Sequence, residues 1–289
     1  MQNEKPSPKP PLEHTFSDDL LFKMVFVKRE DLLKDLVAKV LGIQPGLITG
    51  FELLNKSLDP AQIEGKSCLL DINLAFQGHL VNIEIQVAKE EDYVERVLFL
   101  WAQNASHALK RGDRYSALPK TIVVSIMHFK RFSCPETHSH FRLLEERRRE
   151  LLTDKMAFHF FELPKLDRKN SLDSPLGRWL RLFYAKTEAD LAELREKEDP
   201  MIAQAVDAYW ECAKSTEFAE LNRQRDIVRL DYSSAIARAA EKGEQRGIEI
   251  GEQRGIEIGK TEERRVWQSE KEALLAQIAQ LRASSNNQP

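Results

Sequence analysis

Hydrophobic and polar residues alternate most strictly over residues 69–87, LLDINLAFQGHLVNIEIQV. A two-residue period is the signature of a strand. The Gln77-Gly78 dipeptide between two such runs predicts a β-hairpin. A turn centred there pairs residues whose numbers sum to 155, so Asp71 faces Glu84, Asn73 faces Asn82 and Leu69 faces Gln86. Side chains alternate between the faces of a strand. Leu70, Ile72, Leu74 and Phe76 therefore share one face with His79, Val81, Ile83 and Ile85, and this apolar face is the one to bury.

The remaining pattern fills in an α/β chain. Over 17–42, Leu20, Leu21, Met24, Val25, Leu32, Leu33, Leu36, Val37 and Val40 recur at helical spacing, with Ser17 or Asp18 as cap and Gly42 as stop. Residues 47–58 suit a first strand. Residues 91–110 suit a helix whose apolar stripe is Val94, Val97, Leu98, Trp101, Ala105 and Leu109. Arg96 and Gln103 fall off that stripe and are candidates to face the polar side of the hairpin. Residues 119–127 form a short β-branched strand suited to a sheet centre, and 156–163 form a further aromatic strand. Helices are expected at 176–186, 188–198 and 201–222. The order α-β-β-β-α-β predicts an α/β sandwich with a mixed sheet flanked by helices.

Near the C-terminus the octad GEQRGIEI is copied identically over 243–259, with Gly at every fourth position. Each interior Gly costs a helix ~1 kcal/mol relative to Ala, so the repeat is either a helix held by packing or a loose spacer. Trp267, Leu274, Ile278 and Leu281 then make a short coiled-coil-like seam, a basis for a homodimer or higher oligomer. The expected organisation is a disordered tail over 1–14, a core over 15–165, a helical part over 166–240, the Gly-rich repeat over 241–261, and a short helix with a disordered end over 262–289.

The polar face of the hairpin carries the chemistry. Directly opposed residues on neighbouring strands have Cβ atoms ~5 Å apart, where two bare carboxylates repel. Asp71 and Glu84 occupy such a pair. A divalent cation between them removes the repulsion, and Mg²⁺ is suited because it binds through one or two carboxylates and keeps several waters. By geometry alone the same face also reads as the solvated side of an amphipathic hairpin.

Charge and composition narrow the classes. The chain has 289 residues, 31% charged, and a net charge of −3, so nothing global draws it to nucleic acid. Locally, residues 107–150 carry ten Lys/Arg against five acids and residues 187–220 carry ten acids against three bases, which allows a basic face for a polyanion or a plain mixed surface. No apolar run is long enough to span a bilayer. The opening MQNEKPSPKPPLEH lacks the apolar stretch of a secretory signal, and the three separated cysteines suit a reducing, cytoplasmic setting. Cys134, His138 and His140 cluster without the spacing of a zinc module.

Three segments carry a resemblance. Asp19-x-x-Phe22-Lys23-x-x-Phe26 opens the first helix, Asp71 is followed by Glu84-Ile85-Gln86, and Lys110-Arg111-Gly112-Asp113-Arg114-Tyr115 precedes a strand. Together with the Gly-rich repeat they resemble the recombination-promoting nucleases (Rpn, YhgA-like transposases) of the PD-(D/E)XK superfamily, over roughly residues 14–260. Gln86 stands where other members of the superfamily have Lys, and Gln is common there in this family.

The resemblance implies a restriction-endonuclease-like core with a C-terminal helical extension, acting as a DNA endonuclease linked to recombination or transposition. It implies that Asp71, Glu84 and the backbone carbonyl of Ile85 hold Mg²⁺, or Mn²⁺ in its place. Gln86 would position the attacking water, and Asp19 would approach or orient the metal. The phosphate-contact candidates are Lys23, Arg96, Gln103, Arg111 and Arg114. The alternative is a nuclease fold kept as a non-cutting DNA-binding or oligomeric module.

Overall fold

A computed structural model describes residues 10–56, 71–167 and 170–285. The chain divides into two compact units, the first ending at Asp226 and the second beginning at Ile227. In the first unit the elements follow as α1 (Asp19–Lys28), α2 (Glu30–Leu41), β1 (Glu52–Leu53), β2 (Ile72–Phe76), β3 (His79–Gln86), α3 (Tyr93–His107), β4 (Lys120–Met127), β5 (His138–Arg142), β6 (Met156–Glu162), α4 (Pro175–Tyr184), α5 (Glu188–Arg195) and α6 (Pro200–Ala213). The last helix, α7 (Thr216–Ser285), begins in the first unit and supplies the second.

The six strands form one mixed sheet in the order β1-β2-β3-β4-β6-β5. β3, β4 and β6 run parallel, and the outer pairings are antiparallel. The β2–β3 hairpin has the predicted register, with Ile72 against Ile83 and Asn73 against Asn82. Gln77 (φ 45°) and Gly78 (φ 73°) are both left-handed, the backbone of the tight turn whose twist matches the strands. The predicted residues Leu69 and Leu70, like Cys68 and the end of the 47–58 strand, lie outside the described residues. Of that first strand only Glu52 and Leu53 pair with β2, and a 3₁₀ turn occupies Pro45–Leu47.

Both faces of the sheet are covered. Ile72, Leu74, Val81, Ile83, Ile122, Val124, Ile126 and Phe161 pack into a large core with helices α1, α2, α4, α5 and α6. On the other face, Tyr93 and Val97 of α3 meet Val123, Met127, Phe158 and Phe160 in a second, smaller cluster. The hairpin's polar side is therefore an interior surface.

Several local expectations change. The helix predicted over 17–42 is broken at Arg29 (φ −127°, ψ 70°), whose guanidinium grips Asp31 in the next helix. α1 buries all of Leu20–Phe26 and is apolar nearly all round, whereas α2 keeps an exposed face. The break lets the two pack independently. Asp18 is the cap, accepting from the N–H groups of Leu20 and Leu21, and Gly42 (φ 68°) is the stop. On α3 the buried residues are Tyr93, Val97, Leu100 and Ala105, while Leu98 is exposed. His138–Arg142, expected as a loop, is edge strand β5. Residues 11–14, expected within a mobile tail, are bound: the Leu12 N–H donates to the Lys186 carbonyl at 2.8 Å, and the Tyr209 hydroxyl donates to the His14 carbonyl.

The second unit is helix. The Gly repeat lies within α7, each of its glycines bordered by open space. Every described side chain from Arg229 to Ala279 is exposed, including Ile248, Ile256, Trp267, Leu274 and Ile278 of the expected seam. The side chain of Leu281 lies outside the described residues. Among the described residues no helix is long and apolar enough to cross a membrane.

A Cβ at Gly78 would meet nothing within 4 Å, so substitution there costs backbone strain alone. Gly78→Ala should lower the unfolding free energy by about 1 kcal/mol, read as a lower denaturant midpoint at unchanged slope.

Candidate active site

The site forms at the start of β2 and the end of β3. Asp71, one residue before β2, comes next in the hairpin register opposite Glu84. Its position is fixed from β1: the Asn55 amide donates to the Asp71 carbonyl at 2.5 Å and accepts from the Asn73 N–H at 2.8 Å. Two residues apart on β3, Glu84 and Gln86 point to the same face as Asp71. All three are buried, Glu84 completely. Ile85, between them, turns its side chain to the opposite face, against the large core.

Burying two facing acids demands compensation, and the site supplies it from two helices. From α3, Arg96 pairs with Glu84 and, at 3.2 Å, with Glu90. Glu90 in turn accepts from the Gln86 amide at 3.1 Å, which also donates to the Ala88 carbonyl at 2.9 Å. Glu84, Arg96, Glu90 and Gln86 thus form a closed polar ring.

From α1, Lys23 is almost wholly buried, and its charge draws on Asp71. Burial pushes the Lys23 ammonium below its usual range, opposed by the negative charge of Asp71. Asp19 lies near enough to repel Asp71 and is itself paired with Arg225 of α7. Arg225 also binds Asp18 at 3.0 Å, so the cap of α1 is clamped from the last helix of the first unit.

The compensation is incomplete. Burial first, then the charge of Glu84, push Asp71 well above the ordinary carboxylate range, against the pull of Arg96 and Lys23. Burial also raises Glu84, although Arg96 pulls it down. Asp71 Oδ2 and Glu84 Oε2 are buried oxygens with no hydrogen-bond partner among the described residues. Two adjacent carboxylates, each with an idle oxygen, are a donor set that fits a hard divalent cation. Among the described residues no group of three or more His, Cys, Asp and Glu side chains is arranged to hold a metal. A cation here would rest on Asp71 and Glu84, with backbone and water oxygens completing its shell.

The structure brings together Asp71, Glu84, Gln86, Arg96, Lys23 and Asp19 from the sequence reading. It leaves out Gln103, exposed two helical turns beyond Arg96, and Arg111 and Arg114, exposed in the loop after α3. Lys23 and Arg96 face the acids rather than open solvent, since the polar side of the hairpin is roofed by α3. Glu90, Tyr93 and Arg225 were missed. Glu90 precedes its helix in an acidic run without distinctive spacing, and Arg225 is more than two hundred positions from Asp18. His138, His140 and His159 stack face to face at the sheet edge, 4.1 Å between the His140 and His159 ring centroids.

Two outcomes follow for the protein in EDTA. Arg96→Met leaves Glu84 buried without its partner and should cost about 3 kcal/mol in denaturant unfolding, with added Mg²⁺ recovering part of the loss. Asp71 holds its proton more tightly folded than unfolded, so its contribution is complete below its ordinary 3.8 and is lost as pH rises through the raised folded value. Asp71→Asn should therefore gain stability relative to the parent as pH rises from about 4 to about 8, measured by thermal unfolding across that range.

Residues 17–239 match the family described as PD-(D/E)XK nuclease family transposase. No curated protein and no solved structure matches the chain. The matched span covers well over half of the sequence and contains every residue of the site, and on that ground the chain belongs to the PD-(D/E)XK nuclease family transposases.

Proposed function

We propose that this protein is a divalent-metal-dependent endonuclease that hydrolyses phosphodiester bonds in DNA, serving recombination or transposition. The observation that carries the reading is the pair of opposed, buried carboxylates on adjacent strands, each with an oxygen lacking a partner. Asp71 and Glu84 would hold Mg²⁺, or Mn²⁺ in its place, with the Ile85 carbonyl as the backbone ligand suggested by the sequence. When bound, the ion lowers the pKa of a coordinated water and stabilises charge on a scissile phosphate.

The protein's own groups do the rest. Glu84 and Asp71 release their protons to accept the cation, which their burial resists and Arg96 and Lys23 favour. Gln86 carries no charge, so it orients water through its amide, held in place by Ala88 and Glu90. Lys23, reaching Asp71 from α1, supplies the positive charge that position 86 lacks. Asp19 lies at the outer edge of the acids and is held by Arg225. Assembly through the exposed apolar residues of α7 would give the homodimer suggested by the seam.

The ion pair from Arg96 to Glu84 favours a second reading, in which protein cations alone neutralise the acids and the fold binds DNA without cutting it. A plasmid-nicking assay separates the two. The parent should nick in Mg²⁺ or Mn²⁺ and stop in EDTA. Glu84→Ala and Asp71→Ala should each lose at least a hundredfold in rate while staying folded by circular dichroism. Binding that survives EDTA with no cutting in any metal would establish the second reading.

A further inference from the structure

A cleft of about 170 Å³ opens on the same face of the sheet, between the hairpin and the C-terminal end of α3. Its polar lining is Asn73, Asn82, Thr121, Asn104 and His107, and Leu80 is among its apolar walls. The volume is far more than a water needs (~10–15 Å³) and well below the ~300–1,000 Å³ of a drug-sized pocket. It is the scale of one planar heterocycle.

Two of the lining groups are built in and unused. The Asn82 amide donates to Asn73 Oδ1 at 2.9 Å, which fixes its orientation and leaves Asn82 Oδ1 as an acceptor with no partner among the described residues. Thr121 Oγ1 likewise has none, and both residues are at least 98% buried. A buried polar atom left unsatisfied costs ordinary folding stability, so a ligand that satisfies both is favoured. Asn82 requires a donor, and the Thr121 hydroxyl can rotate to donate to an acceptor beside it.

We infer that this cleft receives a single unpaired nucleobase, read on its hydrogen-bonding edge by Asn82 and Thr121. Every base offers a donor next to an acceptor on that edge, and the edge is free only when the base is out of the duplex. The location agrees. Asn82 precedes Glu84 by two residues on β3, ~7 Å along the strand, so a phosphodiester at Asp71 and Glu84 places a neighbouring base within reach. The inference deepens the proposed nuclease reading and rests on it for the identity of the strand. It makes the substrate class DNA with an unpaired nucleotide next to the cut.

The test uses the full chain and short DNA strands in which one abasic position is walked along the sequence. Affinity is measured in EDTA, and cutting is then measured in Mg²⁺ on the same strands. One abasic position should weaken binding about tenfold, in the range of a lost base-stacking contact, and fully paired duplex should bind more weakly than single strand. Thr121→Val, close in volume, should shrink the abasic penalty at that position, and so should His107→Ala on the exposed rim.

Equal affinity for every abasic strand, no preference for unpaired DNA, or no DNA binding at all overturns the inference. A free mononucleotide competing as well as the whole strand also overturns it, by making the cleft a small-molecule site. Cutting without a sensitive position would leave the nuclease reading standing and remove the base pocket. A sensitive position without cutting would keep the pocket and remove the nuclease.

Discussion

Two carboxylates cannot be placed side by side inside a protein without something positive between or around them. Asp71 and Glu84 meet across a hairpin whose register admits no alternative, because a one-residue slip would move Ile72, Leu74, Ile83 and Val81 out of the core. The same packing that drives folding therefore forces the acids together. Arg96 from one helix and Lys23 from another moderate the repulsion, and an oxygen on each acid is left over. A chain under no demand at this site could relieve the conflict more cheaply with an apolar pair, since well-packed hydrophobic residues often match or exceed buried ions in stability.

The rest of the fold holds that conflict still. β3 sits near the sheet centre, hydrogen-bonded on both sides, so Glu84 and Gln86 are carried on rigid backbone. α3 roofs the acids and delivers Arg96, while α1 brings Lys23 and Asp19 to the side of Asp71. Arg225 ties the first turn of α1 to the start of α7. Sites carried on strands and helices keep their geometry better than sites carried on loops. The unfilled cleft by Asn82 lies on the same rigid floor.

What the sequence made legible follows from period and turn chemistry. Strict alternation around Gln77-Gly78 gave the hairpin, its register and the pairing of Asp71 with Glu84, because a Gly-containing two-residue turn leaves little freedom. The mixed sheet was readable from element order, and the family was readable from short motifs. The misses have local causes. The helix over 17–42 breaks at Arg29 with no Gly or Pro to mark it. β5 lies at the sheet edge with a mostly exposed, polar sequence, so it has no apolar alternation to show. The polar face of the hairpin, taken as either solvated or catalytic, is covered by α3, a tertiary fact that the strand pattern does not encode. The same burial explains why Arg96 and Lys23 turn inward, and why Arg225, distant in sequence, could only be found in three dimensions.

The most direct test of the shared-cation account is a calorimetric titration of the metal-free protein with Mn²⁺, run in two buffers of different ionisation enthalpy. Asp71 and Glu84 hold a common ion if the parent binds one divalent ion at this site and releases protons as it does so, and if Asp71→Asn and Glu84→Gln each abolish that binding. Metal uptake with the same stoichiometry and affinity in both variants as in the parent would contradict it.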